Sequence, residues 1–280
     1  MTKRPLVWLA SYPKSGNTWV RLIFGRLLGI QEAEDDDGFA ATGGITGNRL
    51  VFETLTGLDT FELSDGEIDA LRPAVYRKMA EQADGIRFIK AHDAFRRLPS
   101  GESIFPADCS IGAIYLMRHP FDVVVSYSHH LGNQPFDQTI ATLNKRDAYI
   151  AGHNREQLKQ IMFDWSGHLR SWIEQKEMPV CPIRYEDLRR DPIAEIEKMV
   201  TFLGLSPNDL ATSIADAVEA ARFENLQRIE ETRGFSERPI KSARFFRSGR
   251  SGEGKEKLTD SQQNSLIQSH RDAMREFGYL

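Results

Sequence analysis

Leu6-Val7-Trp8-Leu9-Ala10-Ser11-Tyr12-Pro13-Lys14-Ser15-Gly16-Asn17-Thr18-Trp19 runs from an apolar stretch into a turn that holds proline, lysine, glycine and asparagine. A short apolar run of this kind reads as a buried strand, and the proline and glycine read as a tight loop. Beyond the loop, Trp19, Leu22, Ile23, Arg26 and Leu27 recur at helical spacing until Gly29 stops the helix. Strand, glycine-containing loop and helix therefore follow one another within the first thirty residues. Such a junction presents free helix N–H groups and the positive end of the helix dipole, where an anion is at home. Gly16 lets the backbone approach a phosphate closely. Lys14 adds a full charge, and Ser15, Asn17 and Thr18 add polar side chains. Trp19 offers an aromatic face for a base. The alternative is a capped helix start after an ordinary strand. The G-x-x-x-x-G-K-[ST] spacing is absent, because Ala10 stands where the first glycine would be and Asn17 where the lysine would be. That weakens a reading as a magnesium-nucleotide loop.

Outward from this turn, strands alternate with helices. Arg87–Lys90, Gly112–Met117 and Val180–Arg184 read as further short strands. Ser64-Asp65-Gly66-Glu67 reads as a capping box that opens a helix. A helix follows the Arg118-His119-Pro120 turn, with proline tolerated at its first position. Gln157–Glu174 reads as a helix with Ile161, Trp165, Leu169 and Trp172 on one stripe. Ile193–Leu203, Asn208–Ala221 and Thr259–Phe277 read as the last helices. The stretches 31–62 and 129–156 read as irregular insertions, the first acidic and glycine-rich with Phe39, Phe52 and Phe61. The alternation predicts an α/β domain spanning 1–280, with a central, mainly parallel sheet covered on both faces.

Composition agrees with a globular chain. Of 280 residues, 40% are hydrophobic, which supplies a sizeable core. The net charge of −4 argues against a general attraction to nucleic acid or to anionic membranes. Any anion site must be built locally. Cys109 and Cys181 form no C-x-x-C pair and read as reduced structural thiols. The run Leu6–Ala10 is too short for a signal-peptide core, and no stretch approaches a membrane span. The expectation is a cytoplasmic protein. No cluster of histidine, cysteine and acid has metal-ligand spacing, so no metal is expected.

The segment Trp8-Leu9-Ala10-Ser11-Tyr12-Pro13-Lys14-Ser15-Gly16-Asn17-Thr18-Trp19 resembles the 5′-phosphosulfate motif of the sulfotransferases that use 3′-phosphoadenosine 5′-phosphosulfate (PAPS). Its wording is similar to that of bacterial enzymes that sulfate small natural products. A second segment, Tyr115 to Tyr127, resembles the family's 3′-phosphate motif, whose arginine and serine are Arg118 and Ser126 here. A guanidinium and a hydroxyl on one side of a turn suit a phosphate monoester. A third, Phe246 to Lys255, resembles R-K-G-x-x-G-x-W-K. Arg247 and Gly249 match, Ser248 stands in place of the lysine, Gly254 in place of the tryptophan, and Arg250 is available to replace the charge. Tyr185 resembles the tyrosine that reaches the adenine region, and Phe223 the aromatic residue that helps to hold the base. The resemblance implies a P-loop-kinase-like three-layer fold. It also implies PAPS as sulfuryl donor and adenosine 3′,5′-bisphosphate as product.

Sulfuryl transfer needs a deprotonated acceptor, neutralised charge on the moving group and a stabilised leaving phosphate. Phe88-Ile89-Lys90-Ala91-His92 resembles the family's Lys-x-His, in which the histidine is the base. In a strand Lys90 and His92 share one face. An ordinary imidazole pKa of about 6.5 suits a base at neutral pH. By the resemblance Lys90 neutralises the sulfuryl oxygens and Lys14 the leaving oxygen. His119 reads as a turn residue, and His129 and His130 as candidates to line an acceptor pocket. His153, His168 and His270 read as surface residues. The acceptor is a small molecule carrying a hydroxyl or an amine, and the oligomeric state stays open because the family's K-x-x-x-T-V-x-x-x-E dimer motif is not reproduced. A P-loop kinase for a small molecule and a catalytically silent nucleotide-binding protein are the rival readings.

Overall fold

The computed structural model describes residues 4–29, 44–151, 156–235, 237–238, 242 and 244–280. Phe39, His153 and part of each expected insertion lie outside them. The strands are β1 (Leu6–Ser11), β2 (Arg87–Ala91), β3 (Ser110–Met117), β4 (Tyr149–Ile150), β5 (Gln160–Ile161) and β6 (Val180–Arg184). The helices through residue 173 are α1 (Asn17–Leu27), α2 (Arg49–Thr56), α3 (Asp65–Glu81), α4 (Pro120–His130), α5 (Phe136–Leu143) and α6 (Trp165–Ile173). Those that follow are α7 (Tyr185–Arg190), α8 (Pro192–Phe202), α9 (Ile214–Ala220), α10 (Phe223–Arg233), α11 (Glu253–Lys257) and α12 (Asp260–Glu276). The main sheet has the order β2-β1-β3-β6, and β4 pairs with β5. β1 and β2 run parallel, with Leu6 opposite Arg87 and Ala10 opposite Ala91. The central parallel sheet is the one the alternation predicts.

The chain separates into two compact units. The first comprises 1–12, 43–115 and 146–182. Every residue of β1 is buried, which explains its unbroken apolar run. Around Trp8 an aromatic core collects Tyr76 and Phe105 at centroid distances of 5.0 and 4.9 Å, and Trp172 packs on Phe105 at 4.6 Å. α3 begins at the expected capping box, with Ser64 and Glu67 closing both of its bonds. Arg72 on α3 is fully buried and grips Asp93 through both carboxylate oxygens at 2.8 and 2.6 Å. The second unit comprises 13–42, 116–145 and 183–280. There α4 starts with Pro120 at its first position, as the Arg-His-Pro turn predicts. α12 starts with Thr259 and Gln262 in a second capping box.

Several expectations need correction. The stripe of Ile161, Trp165, Leu169 and Trp172 does not belong to one helix. Ile161 lies in β5, and α6 begins only after Asp164, whose carboxylate caps Gly167. The stretch 31–62 contains α2, capped by Asn48 and stopped by Gly57 in the left-handed region. The stretch 129–156 contains α5 and β4. Of the expected helix 208–221, only α9 is α-helical, after a 3₁₀ turn at Pro207–Asp209. His168 and His270 are not surface residues: they are 0% and 2% exposed. Each lies on the apolar face of its helix, where the packing against other segments decides burial. Cys109 and Cys181 are both buried thiols without a disulfide.

Candidate functional site

In the second unit, the turn after β1 puts Lys14 and Gly16 in the left-handed region, with φ of 70° and 102°. Gly16 is the N-cap of α1, and among the described residues no side chain caps that helix. A helix start of this kind suits an anion. Glycine is required at this point for two reasons. Its φ is the one L-residues avoid, and a Cβ would lie 2.7 Å from Cδ2 of Tyr185. Ser15 Oγ is buried with no hydrogen-bond partner among the described residues. Lys14 Nζ sits 4.3 Å from the Phe245 ring centroid and 3.4 Å from His130 Nδ1. Thr18 donates its hydroxyl to Glu237 at 3.1 Å, and Arg21 pairs with the same carboxylate at 2.5 Å. Asn17 is buried in the first turn of α1.

Arg118 leaves the end of β3 and is 7% exposed. Its guanidinium lies 4.3 Å over the Tyr185 ring and donates to the carbonyls of Lys14 (3.0 Å) and Arg250 (2.9 Å). Its Nε is buried without a hydrogen-bond partner among the described residues. Tyr185 donates its hydroxyl to the Gly249 carbonyl at 3.2 Å. The ring therefore sits beneath Gly16 while its phenol reaches Gly249, so that one aromatic side chain touches both glycine turns. Gly249 is also left-handed, and a Cβ there would lie 2.6 Å from the Phe223 ring. Trp19 donates its indole N–H to the Ala221 carbonyl at 2.9 Å, and Arg189 lies 5.4 Å from its ring centroid. A pocket in this unit is lined by Lys14, Ser126, His129, His130, Phe245 and Arg247, among others. His129 and His130 line this pocket together with Lys14, Ser126 and Arg247, which the resemblance gives to the nucleotide rather than to an acceptor.

Arg247 is held by Glu253 through both guanidinium nitrogens. Ser248 donates to the same carboxylate at 3.0 Å, and Lys257 pairs with it at 2.7 Å. The hydrogen bond from Arg247 holds the Glu253 carboxyl well below the usual carboxylate range. Arg250 does not join this group. Its side chain is exposed and reaches Glu256 at 3.3 Å, while its carbonyl serves Arg118. Neither Glu237, Glu253 nor Asp122 was legible as a site residue. An acid that meets basic, hydroxyl or backbone N–H groups of distant segments leaves no spacing rule in the chain.

In the first unit, β2 ends at Ala91, with Lys90 half-buried and His92 8% exposed just beyond it. His92 Nδ1 lies 2.8 Å from the Ser11 carbonyl and 3.4 Å from Ser11 Oγ. A carbonyl only accepts, so Nδ1 carries the proton and Nε2 is the basic nitrogen. Three further side chains hold His92 and Asp93 in place. His168 Nε2 lies 3.1 Å from the His92 carbonyl and must donate to it. Trp172 donates to the Asp93 carbonyl at 2.9 Å, and Arg72 holds the Asp93 carboxylate. Tyr115 in turn donates its hydroxyl to His168 Nδ1 at 2.8 Å.

Burial lowers the His168 pKa from 6.5 to about 4. The folded chain keeps this ring neutral where the unfolded chain protonates it. The contribution of His168 to stability is complete above pH 6.5, declines as pH falls toward about 4, and stays level below that. In His168→Gln that part of the slope is expected to vanish from a plot of denaturation midpoint against pH. An unchanged slope would count against a neutral buried ring. His119 and His129 are lowered by burial too, so the difference between parent and variant is the quantity to read.

A family model described as "Sulfotransferase domain" matches residues 4–278. Flavonol 3-sulfotransferase of Flaveria bidentis is 25% identical over 272 residues, covering 91% of this chain and 77% of that protein. Sulfotransferase 1 family member D1 of Mus musculus is 27% identical over 262 residues, covering 91% and 79%. Among solved structures, mouse sulfotransferase SULT7A1 complexed with PAP superposes with a TM-score of 0.61 at 19% identity, covering 98% of this chain and 85% of that one. Retinol dehydratase in complex with androsterone and inactive cofactor PAP superposes with a TM-score of 0.59 at 20% identity, covering 97% and 81%. The two structures share the fold.

Proposed function

This chain belongs to the sulfotransferase domain family, and from that premise we propose that it moves a sulfuryl group from PAPS to a hydroxyl or amine of a small-molecule acceptor, with His92 as general base. When bound, PAPS supplies the sulfuryl group and leaves as adenosine 3′,5′-bisphosphate. The mouse and retinol dehydratase structures are described with PAP, and the plant relative is named for a flavonol, which supports a nucleotide donor and a small organic acceptor.

The residues on the turn and around Arg118 fit such an anionic nucleotide. Among the described residues, several buried polar atoms have no hydrogen-bond partner, and two of them, Ser15 Oγ and Arg118 Nε, are donors on the two motifs. Buried polar groups are rarely left so, and each costs about 1–3 kcal/mol when unsatisfied. This pair of orphaned donors, one on each motif, is the observation that carries the nucleotide reading. Lys14, Ser15, Gly16, Asn17, Thr18 and Trp19 are assigned to the 5′ end. Arg118, Ser126, Arg247, Ser248 and Gly249 are assigned to the 3′-phosphate, with Tyr185 and Phe223 toward the base.

His92 receives the acceptor proton on Nε2, because the Ser11 carbonyl holds the other ring proton on Nδ1. Lys90 and Lys14 supply positive charge, Lys90 to the sulfuryl oxygens and Lys14 to the leaving oxygen. Preplaced cations of this kind need no reorganisation when charge develops.

Two measurements test the proposal. Adenosine 3′,5′-bisphosphate is expected to raise the melting temperature, and magnesium-ATP is not. Incubation with isotopically labelled PAPS and a panel of phenols, alcohols and amines is expected to give a labelled sulfated product by mass spectrometry. Stabilisation by magnesium-ATP alone would transfer the site to phosphoryl chemistry. Nucleotide binding without product across the panel would favour a silent nucleotide-binding protein.

A further inference from the structure

We propose that Asp122 is a positioning residue for the 3′-phosphate end of the nucleotide, acting by pinning the 247–254 segment onto the first turn of α4. The proposal rests on the assignment of Arg118 and Arg247 to that phosphate.

Asp122 lies in the first turn of α4 and is 2% exposed. A carboxylate at this position ordinarily serves its own helix end. Here both of its oxygens leave the helix. One accepts the Gly252 N–H at 2.8 Å and the other the Gly254 N–H at 2.7 Å. These groups belong to the start of α11, whose N-cap, Gly252, offers no side chain of its own. Asp122 supplies the missing cap from another part of the chain.

The seam is stitched on both sides of this bond pair. Arg118 donates to the Arg250 carbonyl at 2.9 Å. A Cβ on Gly254 would lie 2.3 Å from the carbonyl carbon of Phe121, so α11 rests directly on the α4 backbone. Residues 118, 121 and 122 thus hold residues 250, 252 and 254. Glu253, inside the held segment, then fixes the Arg247 fork and the Ser248 hydroxyl. Asp122 therefore places Arg247 without touching the ligand. It also secures the loop carbonyl against which Arg118 is oriented. Charge-assisted bonds to backbone N–H groups in a buried place are the strong kind.

The test compares adenosine 3′,5′-bisphosphate with adenosine 5′-phosphate, which lacks the 3′-phosphate, by calorimetry. Asp122→Asn keeps the size and one acceptor. It is expected to weaken the bisphosphate about tenfold and to leave the monophosphate unchanged. In turnover assays KM for PAPS should rise while kcat at saturation holds. Gly254→Ala attacks the same seam without removing a charge and is expected to show the same selective loss. Monophosphate binding reports that each variant is folded. Equal losses for both nucleotides, or a parent-like ratio in both variants, would overturn the positioning role. A parent chain that does not prefer the bisphosphate would overturn the underlying 3′-phosphate assignment instead.

Discussion

Replacing His92 by alanine is expected to lower turnover by about 10²–10⁴-fold while adenosine 3′,5′-bisphosphate binds as before. The magnitude is that of a positioned general base, and the separation of the two effects follows from where the ring is held. His92 is fixed by the Ser11 carbonyl on Nδ1 and by the backbone bond from His168. Neither bond involves a group assigned to the nucleotide. Alanine removes the basic nitrogen and leaves the backbone of Ser11 and of His92 in place. A direct sulfate-transfer assay paired with calorimetry reads both quantities. Parent-like turnover would eliminate the base role. A matching loss of nucleotide affinity would move His92 into the binding set.

Arg118→Ala is expected to weaken adenosine 3′,5′-bisphosphate by about 10²-fold. A hydrogen bond to a charged group is worth about 1.5–3 kcal/mol, and about 1.4 kcal/mol is tenfold in affinity. Two such bonds to a phosphate therefore reach the stated loss. The substitution also frees the Lys14 and Arg250 carbonyls and strips the cation from the Tyr185 face. Arg118→Lys is expected to recover little, because an ammonium cannot fork toward a phosphate while holding two carbonyls. Equal affinity in variant and parent would reject the assignment. Unlike Asp122→Asn, which acts through the loop, this change removes a proposed phosphate donor.

Local signals placed most of the elements. Ser64 with Glu67 is a capping box within four residues and opens the helix it announces, and the expected last helix starts at a second box, Thr259 with Gln262. Pro120 is tolerated at a first helical position, and α4 starts there. The failures share one cause. Ile161 continues the helical stripe of Trp165, Leu169 and Trp172 in spacing alone, and pairing with Tyr149 draws it into β5. The short helices α2 and α5 lie in stretches of weak periodicity, where burial of Phe52, Ile140 and Leu143 supplies what propensity does not.

The chain by itself determined the buried first strand and the glycine-containing turn at the start of α1, because each depends on neighbours a few positions apart. Tertiary structure alone decided which acids meet which bases: Asp93 with Arg72, Glu253 with Arg247, Asp122 with the backbone of Gly252 and Gly254. It also decided that His168 is a neutral buried link and His92 an imidazole with its Nδ1 proton committed. Burial and hydrogen-bond choice are sums over segments distant in sequence. Residue spacing carries no record of them until the chain has brought those segments together.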